Sequence, residues 1–154
     1  DTHNNLKSVA KIVSIFNEQK VEKVVHTGDI TQSKTIEAFA EIQMPVYGVY
    51  GNNDQELETL TQSIFRLGYH FVHPPFIDIW CNKKVIVVHD PLQLNEHDLS
   101  EYHLALHGHT HRYRMETIES TLIFNPGECA GHMKGYNAVG IIDLQSLQTE
   151  IMKF

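Results

Sequence analysis

The densest chemistry in this chain lies at His107, His109 and His111, three imidazoles within five positions, separated by Gly108 and Thr110. Imidazole nitrogens suit first-row divalent metals, and the intervening glycine lets the backbone turn tightly enough for two rings to face one centre. Alone, the cluster reads equally well as a solvated histidine-rich loop. Partners elsewhere decide the matter. Asp1 and His3 stand two apart, so an extended segment projects both to one side, toward a single cation; alone they are a frayed polar terminus. Asp29 closes the run from Val21 to Asp29, Asn52 and Asn53 follow 46–50, and His89 follows 84–88. Two carboxylates, one or two amides and four histidines suffice for two metal ions with one bridging carboxylate, and a mononuclear site leaves most of them idle.

The elements that must carry these groups alternate in the first half of the chain. Leu6, Val9, Ile12, Val13 and Phe16 keep the three-four spacing of a helix with one buried face, ending near Gln19 and Lys20. A buried strand over 21–27 leads into Gly28-Asp29. Ser33 is the expected N-cap of a second helix through Ile42, with a strand over 46–50 after it. A third helix covers 56–67, with Leu57, Leu60, Ile64 and Leu67 inward and Gly68 as its stop. Strands then dominate, at 69–72, 76–80, 84–88, 102–106, 113–118, 121–124, 139–144 and 149–154. Asn82-Lys83 is the expected hairpin turn, and a brief helix is expected over 96–101. Each polar cluster after the first follows a buried strand, so parallel strands of one sheet are expected to gather them at one edge.

Composition narrows the partners. The length suits one domain over 1–154, and a formal charge of −7 argues against a broad basic face for extended nucleic acid. No apolar run is long enough for a membrane span. Cys81 and Cys129 form no CxxC pair, which points to a reducing, cytoplasmic setting. The chain opens on a motif with no strand ahead of it, so a strand upstream of Asp1 is expected.

In order, the blocks are Asp1-Thr2-His3, Gly28-Asp29, Gly51-Asn52-Asn53-Asp54, His89 and Gly108-His109-Thr110-His111. This pattern resembles the calcineurin-like metallophosphoesterase superfamily, and the size is similar to that of its small YfcE-like phosphodiesterases. The resemblance implies an α/β (α+β) fold, a four-layer αββα sandwich of two mixed sheets flanked by helices. It implies that Asp1, His3, Asp29 and His111 hold one divalent metal while Asp29, Asn52, His89 and His109 hold a second, with Asp29 as the bridge. Manganese is the first expectation, ahead of nickel, iron, zinc or magnesium. The implied activity is hydrolysis of small phosphodiesters by a hydroxide shared between the metals, with Asp29, Asn52 and His89 as the catalytic positions. A homodimer is a further expectation from the resemblance.

Two positions depart from the commoner pattern. Asn53 stands where many larger members carry histidine and cannot act as a general acid, so substrates with good leaving groups are expected. Glu128 stands where small members often carry serine, and at the mouth of the site its charge would repel monoesters more than diesters. His107 is expected to hydrogen-bond to a ligand from behind. His26, His70, His73, His97, His103 and His132 read as structural or surface imidazoles, and Trp80 with Phe76 as packing between sheets. The alternative is a non-catalytic scaffold of the same fold; against it, every ligand position carries a competent side chain. A polymer-cutting nuclease lacks support because the chain has no basic groove.

Overall fold

The computed structural model describes residues 1–154. Asn5 opens the first helix, α1 (Leu6–Gln19), by accepting from the Ser8 N–H, and Lys20 in left-handed conformation ends it. The helix buries Val9, Ile12 and Val13, and Phe16 packs at the margin of the same core, whereas Leu6 is exposed. The first strand, β1 (Val24–His26), is shorter than expected. The second helix, α2 (Ser33–Glu37), is also short. Gln32, not Ser33, takes the cap position, and no side chain caps it. Three-residue backbone bonds, such as Phe39 N–H to Ile36 O, carry the chain on as tight turns to Ile42. After β2 (Val46–Val49), α3 (Leu57–Arg66) buries Leu60 and Ile64 but leaves Leu57 exposed at its first position. Gly68, at φ +71°, lets the chain reverse into β3 (His70–Val72).

The strands β1, β2 and β3 form a parallel sheet in that order, as helical crossovers require. A second, mixed sheet follows: β4 (Phe76–Trp80), β5 (Lys83–Val87), β6 (Leu104–Leu106), β7 (Arg114–Ile118) and β8 (Thr121–Asn125), in the order β4-β5-β6-β8-β7. Its turn between β4 and β5 is Cys81-Asn82, one residue earlier than expected: both have positive φ, and Lys83 already pairs with Trp80. The brief helix expected over 96–101 is instead two 3-10 helices, Pro91–Glu96 and Leu99–Glu101. The antiparallel pair β9 (Ala138–Ile142) and β10 (Thr149–Lys153) completes the strands.

Three apolar layers hold these elements apart. Val9, Ile36, Leu60 and their neighbours fill the space between helices and the parallel sheet. Val49, Phe76, Trp80, Val85, Leu104 and Phe124 pack between the two main sheets, which is the use expected of Trp80. Ile86, Ala105 and Ile123 meet Leu94 and Tyr102 of the 3-10 segment on the far side. The result is the layered arrangement of helices, sheet, sheet and helical cover. The free edges of β1 and β9 face a cavity of about 550 Å³ lined by Val24, Val25, Gly140 and Ile141, with Asp1 and Thr2 also in its lining.

Candidate metal centre

The polar clusters meet where strands of two sheets end, not along one sheet. Asp29 and Asn52 follow β1 and β2 of the parallel sheet; His89, His109 and His111 follow β5 and β6 of the mixed sheet. Facing sheets can surround a centre from two sides, which a single edge cannot. Backbone bonds stitch the ends together: Thr2 and His3 N–H groups both donate to Asp29 O at 3.1 Å, and Gly108 N–H donates to His89 O at 3.0 Å.

All seven expected side chains stand together. His3 Nε2 lies 3.2 Å from His111 Nε2 and 3.3 Å from Asp29 Oδ2. Asp1 Oδ2 lies 3.4 Å from His111 Nε2. On the other side of Asp29, His89 Nε2 lies 3.5 Å from Oδ1, 2.9 Å from Asn52 Oδ1 and 3.2 Å from His109 Nδ1. Asp29 therefore turns one oxygen to each half of the cluster.

The tautomers follow from the partners. His89 Nδ1–H donates to Thr27 O at 2.8 Å, so its Nε2 presents a bare lone pair to Asn52 Oδ1, which is itself an acceptor. His111 Nδ1–H likewise donates to Glu128 Oε2 at 3.1 Å, leaving its Nε2 bare toward Asp1. Lone pairs facing lone pairs gain nothing from one another. Both oxygens of Asp1 are buried without a hydrogen-bond donor, a costly state for a carboxylate unless a cation answers it. Asp1, His3 and His111, and separately Asp1, Asp29 and His89, have ligand atoms close enough to hold an ion. The donor set fits divalent metal.

The surroundings bias these groups toward their ligand states. Burial, ahead of any charge effect, lowers the pKa of His3 and His89, so both rings favour the neutral, ligating form. Burial works to raise the Asp29 pKa, but the side-chain and backbone N–H groups of Asn53, at 2.8 and 2.9 Å, bring it below the ordinary value. Four of the seven, His3, Asp29, His109 and His111, have positive φ of 39°, 57°, 64° and 56°. Such backbone costs on the order of 1–3 kcal/mol per residue and persists only where the surroundings over-determine it. Gly28, at φ +98°, is part of that enforcement: a Cβ there would sit 2.6 Å from His89 Nδ1.

Several contributors escaped the sequence. Asp54 is buried and accepts from the N–H groups of Asp29, Gly51 and Thr31 at 3.0, 2.7 and 2.6 Å, clamping together the turns after β1 and β2 of the parallel sheet. Its place within the Gly51–Asp54 block was the available signal. Glu128, expected at the mouth of the site, is instead 1% exposed beneath His111, with its other oxygen accepting from Met133 N–H. His107 does not touch a ligand: its ring contacts Gly108 O, Asn125 and Arg114, bracing the turn from within the mixed sheet. His26 is buried, accepting from Gly28 N–H and contacting Thr2 Oγ1, and burial drives its pKa well down, so it supports the floor as a neutral ring. His132, read from the sequence as incidental, stacks on His111.

The chain and its fold are similar to those of known proteins. Residues 1–147 match the calcineurin-like phosphoesterase superfamily domain. The chain is 31% identical over 149 residues to the phosphodiesterase MJ0936 of Methanocaldococcus jannaschii, covering 94% of this chain and 90% of that protein. The structure of an archaeal phosphodiesterase is similar at a TM-score of 0.91 and 27% identity, covering all of this chain and 96% of that one. The fold of YfcE, a phosphoesterase from E. coli, is similar at a TM-score of 0.71 and 18% identity, over 99% and 94% of the two chains. The chain belongs to the calcineurin-like phosphoesterase superfamily.

Proposed function

We propose that this protein is a metal-dependent phosphodiesterase that hydrolyses small phosphodiesters at a dinuclear centre. The observation that carries this reading is Asp1, whose carboxylate is buried without a donor among His3, His89, His111 and Asp29. Asp1, His3, Asp29 and His111 would hold one ion; Asp29, Asn52, His89 and His109 would hold the other. Manganese is the first assignment, and nickel, iron, zinc and magnesium suit the same mixed donors. Such a pair, when bound, supplies Lewis acidity toward a phosphoryl group and brings the pKa of water toward neutrality.

The chain's own residues do the rest. Asp29, with one oxygen toward each half, is suited to bridge and to keep the halves in register. Asn52 offers an amide oxygen and adds no negative charge, so the centre stays attractive to an anionic ester. Asn53 turns its backbone N–H and one side-chain N–H to Asp29, and an amide is no general acid, so esters with good leaving groups are the better substrates. The relatives named as phosphodiesterases support the diester assignment. A scaffold without catalysis would tolerate loss of ligands, and none of the seven positions has lost one.

No helix is long and apolar enough to cross a membrane. We read the protein as cytoplasmic, as a homodimer, and as one unit over 1–154.

The test is hydrolysis of an activated diester and its matching monoester with each metal in turn, repeated after Asp29→Asn. The diester should be cleaved faster by the loaded wild type, and the variant should lose at least about a hundredfold. Equal rates for the two proteins would remove Asp29 from the reaction.

A further inference from the structure

His132 is an imidazole on the solvent side of this centre that the ligand set does not use. It lies on the loop joining β8 to β9, with its ring stacked on His111 at 5.1 Å between centroids and 10° between planes, and 5.4 Å from the ring of His3. The loop is built to hold it there. Glu128 Oε1 accepts from Met133 N–H at 2.6 Å, Asn137 Oδ1 accepts from Gly131 N–H at 3.0 Å, and Asn137 also donates to Ser8 Oγ of α1 at 3.3 Å.

Packing does not explain the ring, because its side chain is 59% exposed while that of His111 is 21% exposed. His132 therefore borders the solvent side of the centre. Its Nδ1 stands 3.8 Å from Glu128 Oε2, too far for a hydrogen bond, and that oxygen already accepts from His111. The ring proton is free to reside on Nε2.

Several N–H donors around this centre are already engaged. His89 gives its Nδ1–H to Thr27 O, His111 gives its own to Glu128, and Asn53 gives its backbone N–H and one of its side-chain N–H groups to Asp29. A phosphoryl group carries non-bridging oxygens that a ring N–H satisfies through a charge-assisted bond.

We propose that His132 is a substrate-binding residue whose Nε2–H donates a hydrogen bond to a non-bridging oxygen of the phosphoryl group of a small phosphate ester. This rests on the phosphoesterase reading above and adds the residue that orients the anion from the solvent side.

Inorganic phosphate is the probe. Calorimetric titration of the manganese-loaded protein with phosphate should give a Kd about tenfold weaker for His132→Ala, with most of the loss recovered in His132→Gln, whose amide N–H can donate in the same place. In the same variants, KM for an activated diester should follow the phosphate Kd, while manganese affinity stays within about twofold of wild type. Equal phosphate affinity in all three proteins overturns the proposal, as does a fall in manganese affinity large enough to account for the phosphate effect. Phosphate binding that depends on His132 in a protein that cleaves no ester would uphold the contact and remove the catalytic reading. A wild type that binds neither manganese nor phosphate removes both.

Discussion

Glu128 Oε2 accepts a hydrogen bond from His111 Nδ1 at 3.1 Å across seventeen positions of sequence, from the loop after β8 to the turn after β6. The carboxylate sets the ring's tautomer and aims its Nε2 at Asp1. Glu128→Gln preserves the shape and removes the charge, and metal affinity should fall about 10–100-fold, as for other carboxylates that support a ligating histidine. The ratio of diester to monoester rates should hardly change, because the buried carboxylate does not meet substrate. Unchanged metal affinity in calorimetric titration would contradict this role.

Asp54 is expected to matter more for folding than its distance from the chemistry suggests. Its carboxylate accepts three backbone N–H groups, those of Asp29, Thr31 and Gly51, at 2.6–3.0 Å. Asp54→Ala leaves those donors stranded and should cost at least about 3 kcal/mol, read by urea unfolding of the metal-free protein. A cost under about 1 kcal/mol would mean that water or rearrangement satisfies them equally well.

Asn53 holds the Asp29 carboxyl below its ordinary range against the upward pull of burial. Asn53→Ala removes the side-chain donor and keeps the backbone one, so the Asp29 pKa in the metal-free protein should rise. Carbon-detected NMR titration of the Asp29 carboxyl measures it directly. A value that stays put or falls would show that Asn53 has another use.

The pH dependence of stability in the metal-free protein has a definite sign. Burial lowers the pKa of His26, His89 and His3 below the ordinary histidine value of 6.5 in the folded state. As pH drops below about 6.5 the unfolded chain takes up protons first, so stability is full above that point and falls toward the lowered values. Each such ring contributes up to about 1.4 kcal/mol per pH unit, with His26 foremost and the more exposed His3 least. Melting temperature should therefore decline from about pH 7.5 to about pH 5.5, and His26→Gln should flatten the slope. A flat profile for the wild type would contradict the burial of neutral rings.

What the sequence made legible was local. Asp29, Asn52, His89, His109 and His111 each sit in a short block after an apolar run, where strand ends make such side chains available, and Asp1 and His3 stand out only as a ligand pair two residues apart. The helices over Leu6–Gln19 and Leu57–Arg66 followed from apolar spacing. Tertiary relations were not legible. Nothing near Glu128 announces that a carboxylate will be buried beneath a histidine seventeen residues back, and nothing local distinguishes His132 from His97. That the ligands come from two facing sheets depends on strand order, which spacing does not encode. Ser33 looked like a cap but lies inside the first turn, and the hairpin turn fell on Cys81-Asn82 because strand pairing, not composition, set the register.

In the proposed centre, Asp29 and Asn52 from one sheet, His89, His109 and His111 from the other, and Asp1 and His3 from the N-terminal segment would enclose a pair of cations, with Asp29 common to both. Counting manganese ions bound per folded chain, by equilibrium titration followed with electron paramagnetic resonance, tests it most directly. The expected result is two ions per wild-type chain, with spin coupling between them, and a weakened, uncoupled set after Asp29→Asn. A wild type that saturates with no manganese, or a variant that still binds a coupled pair as tightly, would contradict it.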